Sequence, residues 1–199
     1  MTKPNLPAAR LLAWLAFCLL LGFFTLSQAR DLEQIRQDGV LRHLGVPYAN
    51  FITGSGDGLD TELMQGFARH LGVRYEFVET NWQNLFGDLT GRNARRNGQD
   101  AELLEEAPIR GDVIANGLTI LPWRKQVVDY SDHTFPSGVW LIARADSPLR
   151  PIKPTGDLNE DIVKVKGAIS GHSVLALAST CLDPGLYRME ETGADVRMQ

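Results

Sequence analysis

Apolar residues recur at helical spacing along several stretches of the chain. Leu59, Leu63, Phe67 and Leu71 lie four residues apart, which predicts an amphipathic helix that ends at Gly72. Similar repeats predict four further helices, over residues 31–38, 81–89, 158–169 and 183–192.

Short apolar runs between these helices predict strands. They cover residues 40–46, 73–77, 112–115, 139–143, 173–177 and 194–198. Strands that alternate with helices indicate a mostly parallel sheet with right-handed crossovers. Residues 91–110 are polar and without period, so we interpret them as a surface insertion. Residues 147–156 contain three prolines and predict a linker or loop.

The N-terminus has the pattern of a secretory signal. Lys3 and Arg10 precede the apolar run Leu11–Leu26, and Ser27-Gln28-Ala29 supplies small residues for cleavage. We predict a signal peptide over residues 1–29 and a periplasmic or secreted product. Its removal takes away two positive charges and changes the formal net charge from −4 to −6.

Charge, cysteine and histidine content exclude several classes of function. A mildly acidic exported chain is a poor nucleic-acid binder, and the basic run Arg92–Arg96 is interpreted as a solvated tip. Cys181 is the one cysteine left after cleavage, so no disulfide forms within the mature chain. The four histidines are scattered without metal-ligand spacing, and we predict no metal and no cofactor.

The segment around Arg124 carries the strongest candidate for binding chemistry. The predicted strand 112–115 ends at Asn116-Gly117, and Thr119 precedes a predicted helix that starts at residues 120–122. A strand end, the free amides of a helix start, a hydroxyl and a guanidinium would then face one place, which suits a carboxylate. The alternative is a capping threonine beside a solvated arginine.

Two motifs, with their order along the chain, resemble the extracellular solute-binding proteins of family 3, the polar amino-acid receptors of ABC importers. The first comprises Gly117-Leu118-Thr119, Arg124-Lys125 and Val128-Asp129-Tyr130-Ser131, and the second is Gly58-Leu59-Asp60-Thr61-Glu62-Leu63. The resemblance implies an α/β, periplasmic-binding-protein-like fold with two lobes of mostly parallel sheet flanked by helices. Lobe 1 would be residues 30–142 and an incomplete lobe 2 residues 143–199, because the resemblance covers about two thirds of the family's length. An incomplete lobe exposes apolar surface, so we expect marginal stability or aggregation.

The resemblance also assigns a role to each candidate site residue. Arg124 matches the arginine that clamps the ligand carboxylate, and a bidentate guanidinium suits this better than Lys125 would. Thr119 and the main-chain amide near Gly117 match donors to the same carboxylate.

Two further pairs of residues would complete the site. Tyr48 or Phe51 matches the aromatic that stacks on the ligand, although both could be ordinary core residues. Ser179 and Thr180 match the turn by which the second lobe grips the ligand, although Ser179 replaces the usual glycine and the pair could be a capping turn. Gly45-Val46-Pro47 stands where an acidic residue is usual, so whether the ligand carries an amine stays open.

The sequence therefore predicts an exported, monomeric receptor for a small carboxylate-bearing solute, such as an amino acid. An inner-membrane ABC permease would be its partner, and no catalytic residues are assigned. The alternatives are a sensor or regulatory solute-binding domain and an enzyme on the same fold. Such an enzyme would be a cyclic-acid dehydratase or the regulatory lobe of a lytic transglycosylase, but no convincing acid/base pair was found.

Overall fold

The structure is a computed structural model that describes residues 29–178 and 180–199. Residues 1–28 of the predicted signal peptide, and Ser179, lie outside the described residues. The α-helices are α1 Leu32–Asp38, α2 Leu59–Leu71, α3 Leu85–Thr90 and α4 Leu158–Ala168. The strands are β1 Val40–Gly45, β2 Arg74–Glu79, β3 Arg92–Asn97, β4 Asp100–Glu106, β5 Val113–Ile114, β6 Ser173–Ala176 and β7 Asp195–Met198. Short 3-10 helices cover Arg124–Gln126, Pro184–Leu186 and Met189–Thr192.

Two separate parallel sheets organise the chain, as the alternation of helices and strands predicted. The first has the strand order β2-β1-β5, with Val40 opposite Arg74 and His43 opposite Val113. The second pairs β6 with β7. We call residues 30–142 the first region and residues 143–199 the second region, after the predicted lobes.

Helices α1 and α2 begin and end at the residues that their sequence signals indicate. Asp31 accepts a hydrogen bond from the main-chain amide of Gln34, whose side chain in turn accepts from the amide of Asp31. Gly39 and Gly72 end α1 and α2 with φ of 68° and 73°, a left-handed conformation that glycine adopts without strain.

Helix α3 was predicted to start at Asn81 but starts at Leu85. The reason is that the Asn81 side chain accepts hydrogen bonds from the amides of Gln83 and Asn84 in a turn that precedes the helix.

Helix α2 packs on the sheet through small side chains. Its Ala68 is buried with Ile35 and Leu41. Leu63 and Phe67, which belong to the apolar stripe that predicted the helix, remain 42% and 39% exposed. The helix is therefore confirmed, but the larger residues of its stripe lie at the surface.

A buried ion cluster fastens the N-terminal segment to β5. The fully buried Asp112 carboxylate accepts hydrogen bonds from Arg30 at 2.5 Å and from Arg42 at 2.7 Å. Burial alone would raise the pKa of Asp112, but the bonds from Arg30 and Arg42 outweigh it and lower that pKa below its ordinary value. Asp112 is therefore charged at neutral pH.

Residues 91–110 were expected to be irregular, but most of this stretch forms the antiparallel hairpin β3–β4. The interpretation of Arg92–Arg96 as a solvated tip was wrong, because these residues form β3 and Asn93 and Ala94 are buried. Asn97 pairs with Asp100 across a two-residue turn, and Gly98 in that turn has φ of 64°. A glycine at the first position of a two-residue turn is a hairpin signal that the polar composition concealed. Ala94 anchors the hairpin beside Phe86 and Trp123, so few apolar residues were needed to hold it.

Two predicted elements of the later chain also differ. Residues 139–143 form no strand, and Trp140 and Ile142 are 82% and 88% exposed, because no described strand pairs with this segment. The helix predicted over 183–192 is instead two 3-10 turns, broken where Arg188 adopts a φ of 52°. Residues 147–156 are an irregular connection, as predicted. Of the helices in the described part of the chain, none combines the length and apolarity needed to span a bilayer.

Candidate ligand-binding site

Arg124 lies at the start of a single 3-10 turn. Its amide donates to the carbonyl of Leu121 at 3.0 Å, and the residues from Thr119 to Leu121 are irregular. The prediction that a helix starts at residues 120–122 was therefore wrong, and a tighter turn begins near Trp123. The free amides of a helix start, which were expected beside Thr119, are therefore not present at this position. The polar groups around Thr119 are side chains and main-chain carbonyls.

The Arg124 side chain is almost fully buried, at 2% exposure. Its Nη1 donates to the carbonyl of Thr119 at 3.0 Å, and its guanidinium carbon lies 5.3 Å from the centre of the Trp123 ring. Burial lowers the pKa of Arg124, while nearby Tyr130 and Cys181 act in the opposite direction. An arginine remains charged despite such a shift, so the site contains a fixed cation.

Tyr130 supports the same turn from the motif that follows it. Its hydroxyl donates to the carbonyl of Thr119 at 3.3 Å. Burial raises the pKa of Tyr130, and the charge of Arg124 partly offsets this. The phenol is therefore neutral at neutral pH and acts as a hydrogen-bond donor.

The turn at Gly117 is fastened by Asp60, a residue that the sequence had not placed in the site. The amide of Gly117 donates to Oδ2 of Asp60 at 2.5 Å. Asp60 thus takes the hydrogen bond that we expected Gly117 to offer a ligand. Gly117 has φ of 68°, and a Cβ at this position would collide with the ring of Phe51. Asp60 belongs to the Gly58–Leu63 motif. The sequence therefore singled out this residue but did not indicate that it binds the amide of Gly117.

A buried histidine holds the strand end that leads into this turn. His43 Nε2 donates to the carbonyl of Ala115 at 2.6 Å, which leaves Nδ1 to accept from the hydroxyl of Tyr75 at 2.9 Å. Burial lowers the pKa of His43, against the opposing effects of Ala115 and Asp60, so the ring is neutral at neutral pH. Sequence reasoning missed it because histidines were considered only as metal ligands.

The candidate residues from both regions meet at one small pocket. Its lining consists of Tyr48, Trp82, Gly117, Thr119 and Arg124 from the first region and Leu177, Thr180, Cys181 and Leu182 from the second. Five predicted site residues are therefore brought together. Trp82 and Cys181 also line the pocket, although Trp82 had been assigned to packing alone.

The remaining two candidates do not line the described pocket. Phe51 packs against Tyr48 with nearly parallel rings whose centres are 6.2 Å apart. The ring of Trp82 meets the Tyr48 ring edge-on, with 5.7 Å between the two ring centres. Ser179 is outside the described residues. Tyr48 is thus the aromatic that faces the pocket, and Phe51 supports it from behind.

The pocket is too small for a solute in this conformation. Its volume of about 10 Å³ is close to the space that one water molecule requires. A solute of amino-acid size enters only if the Thr180–Leu182 wall moves away from Arg124. Among the described residues, no group of three or more His, Cys, Asp or Glu is placed to hold a metal ion.

Comparison with solved structures identifies the fold. An ancestral amino-acid-binding protein, described as a precursor of cyclohexadienyl dehydratase, matches with a TM-score of 0.56 and 23% identity over 84% of this chain and 64% of its own. A mutant of ArgBP from T. maritima matches with a TM-score of 0.56 and 22% identity, over 84% of this chain and 62% of its own. This chain has the periplasmic-binding-protein-like fold. The first two neighbours thus extend beyond the part that this chain spans, which is less than two thirds of each.

A third solved structure gives the same result. The arginine-bound form of a truncated ArgBP from T. maritima matches with a TM-score of 0.54 and 23% identity, over 84% of this chain and 66% of its own. No family model matches the sequence, and no curated protein is significantly similar to it. The neighbours are amino-acid-binding proteins, the class that the sequence motifs resemble, and the predicted fold is confirmed.

Proposed function

We propose that this protein is an exported solute receptor in which Arg124 binds the carboxylate of an amino acid or similar small solute. One observation carries the proposal. Tyr48, Thr119, Arg124 and Thr180 line the same pocket, although they are far apart in the sequence and come from both regions of the chain. A buried guanidinium, the hydroxyl of Thr119 and an aromatic wall are groups that recognise such a solute. The hydroxyl of Thr180 is held by Leu177 and Leu182, so Thr180 contributes to the shape of the facing wall.

The solute would be bound between two lobes, residues 30–142 and 143–199, that close on it. The closed pocket supports this mechanism, since exchange of solute requires the two walls to separate. An inner-membrane ABC permease would detect the closed state, and the receptor would act as a monomer in the periplasm. Gly117 contributes its main chain to the pocket wall, with its amide committed to Asp60.

The decisive experiment is calorimetric titration of the protein with amino acids and small carboxylates, for the wild type and for Arg124→Ala. Loss of a buried, hydrogen-bonded charge partner costs about 2–5 kcal/mol, so we expect affinity to fall about thirtyfold or more. Lys125→Ala removes an exposed neighbouring charge and should leave affinity unchanged.

Folding of the variants must be separated from binding. A melting curve without solute shows whether Arg124→Ala is folded, and Thr119→Val tests the same wall with a smaller change. If folded Arg124→Ala binds the best solute as tightly as the wild type, the carboxylate role of Arg124 is refuted.

An enzyme on the same fold is the second candidate, because one neighbour is described as a precursor of cyclohexadienyl dehydratase. Incubation with a cyclohexadienyl acid, with product analysis for loss of water, distinguishes the two functions. We expect binding without turnover, and turnover above that of the Arg124→Ala variant would establish the enzyme instead.

A further inference from the structure

The β3–β4 hairpin contacts the turn that contains Arg124. The main-chain amide of Ala101 donates to Oε1 of Gln126 at 3.0 Å, and Nε2 of Gln126 donates to Asp100 at 3.2 Å. Gln126 belongs to the same 3-10 turn as Arg124. Trp123, which precedes Arg124, packs with Ala94 and Ala101 of the hairpin. The hairpin and the Arg124 wall of the pocket are therefore one packed unit.

The same hairpin also contacts the opposite region of the chain. Nη2 of Arg96 forms an ion pair with Oδ1 of Asp183 at 2.8 Å, and the two side chains are only 21% and 20% exposed. Nη1 of Arg96 donates to the carbonyl of Gly98, which fixes the guanidinium at the hairpin turn. Gly185 lies directly beside Nη2 of Arg96, so the guanidinium packs against the turn that Asp183 begins.

Asp183 is in turn connected to the second wall of the pocket. Its amide donates to the carbonyl of Thr180 at 3.3 Å, and the amide of Leu182 donates to Oγ1 of Thr180 at 3.0 Å. Oγ1 of Thr180 donates to the carbonyl of Leu177 at 2.9 Å. Displacement of Asp183 therefore moves the residues that cover Arg124.

We propose that the β3–β4 hairpin is a latch across the pocket, in which Arg96 holds Asp183 and so keeps the Thr180–Leu182 wall closed over Arg124. Opening the pocket separates this wall from a unit that includes the hairpin, so it breaks the Arg96–Asp183 pair. Arg96 is then a positioning residue that slows the release of solute and makes release sensitive to salt. This last part rests on the solute-binding function proposed above.

A measurement without solute tests the latch independently of that function. Hydrogen–deuterium exchange of the amides of residues 181–187 is compared between the wild type, Arg96→Gln and Arg95→Gln. Arg95 lies on the same strand in an exposed pair with Glu102 and is the matched control. We expect exchange to become about three- to tenfold faster in Arg96→Gln and to be unchanged in Arg95→Gln. Equal exchange in all three proteins would overturn the proposal.

Charge reversal distinguishes a latch from a merely structural contact. Arg96→Asp and Asp183→Arg each remove the pair, and the double variant restores it with the charges exchanged. Asp183 also accepts a hydrogen bond from the amide of Gly185, which an arginine cannot accept. We therefore expect each single variant to accelerate exchange and the double variant to exchange more slowly than Asp183→Arg alone. Additive effects in the double variant would mean that the two side chains are not coupled, which contradicts the latch.

The release rate is then measured with L-arginine and L-glutamate as probes in stopped-flow dissociation. We expect Arg96→Gln to release a bound probe about three- to tenfold faster, with little change in its association rate. Raised salt should accelerate release from the wild type and not from the variant. If neither probe binds while the exchange results hold, the latch stands and the solute class is wrong. Unchanged release from a bound probe would overturn the role of Arg96.

Discussion

The first and second regions contain the same kinds of element but bury them to different degrees. Leu44 and Leu85 of the first region are fully buried, whereas Leu158 and Leu175 of the second are 74% and 65% exposed. The described residues of the first region form a three-stranded sheet with helices packed against it and the β3–β4 hairpin. Those of the second form one α-helix, two 3-10 turns and a two-stranded sheet. Two strands alone bury too little apolar area to be stable, so stability must come mainly from the first region.

Truncation of a leucine in each region gives the largest expected contrast. Leu85→Ala leaves a cavity in a closed core and should lower the free energy of unfolding by about 2–5 kcal/mol. Leu175→Ala removes atoms that already face solvent and should change it by less than about 0.5 kcal/mol. Urea denaturation followed by tryptophan fluorescence measures both. Equal losses would show that the second region is as tightly packed as the first.

A second contrast compares two aspartates that form ion pairs. Asp112 is fully buried between Arg30 and Arg42, whereas Asp195 pairs with Arg197 while 62% exposed. Asp112→Asn should lower the free energy of unfolding by about 2–3 kcal/mol at pH 7, and Asp195→Asn by less than about 0.5 kcal/mol. Urea denaturation measures both losses of unfolding free energy. Similar losses in the two variants would show that the buried ion pairs stabilise the fold no more than the exposed one.

The pH dependence of the Asp112 effect has a defined sign. Its pKa in the folded protein lies below the ordinary value of 3.8, so the charged form stabilises the fold above that value. This contribution is lost as the pH falls below 3.8 toward the folded-state pKa. The unfolding free energies of the wild type and Asp112→Asn should therefore converge on acidification, and a constant difference would contradict the assignment.

The smallest expected effect concerns the exposed segment at the end of the first region. Trp140 is 82% exposed, so Trp140→Ser should change the free energy of unfolding by less than about 0.5 kcal/mol. It should nevertheless reduce self-association, because it removes exposed apolar area. Sedimentation velocity at several concentrations measures this. A large loss of stability would show that Trp140 is packed in solution.

The elements predicted with most success are those whose signals are local. Helix α2 was located by its four-residue repeat and by Gly72, and the strand β1 by its apolar run, because capping and periodicity depend on neighbouring residues alone. The hairpin at residues 91–110 was missed because its sequence is polar and its anchorage comes from Trp123, about 30 residues away along the chain. The segment 139–143 has strand-like composition but no described partner strand.

The candidate site also contains residues that local sequence patterns indicated and contacts that they did not. Arg124, Thr119 and Tyr48 were proposed from the family resemblance, and in the structure they line one pocket with Thr180. The hydrogen bond from Gly117 to Asp60 and the ion pair between Arg96 and Asp183 join residues 57 and 87 positions apart. No local pattern encodes such pairs.

The sequence by itself determined where most helices and strands lie, which fold they imply and which cation is the candidate clamp. Local propensities and a short motif carry that information. Only the tertiary structure decided which side chains are buried, that Asp60 takes the amide of Gly117 and that the hairpin reaches the second wall of the pocket. These contacts depend on how the sheets and turns pack, and their energies exist only once distant segments have been brought together.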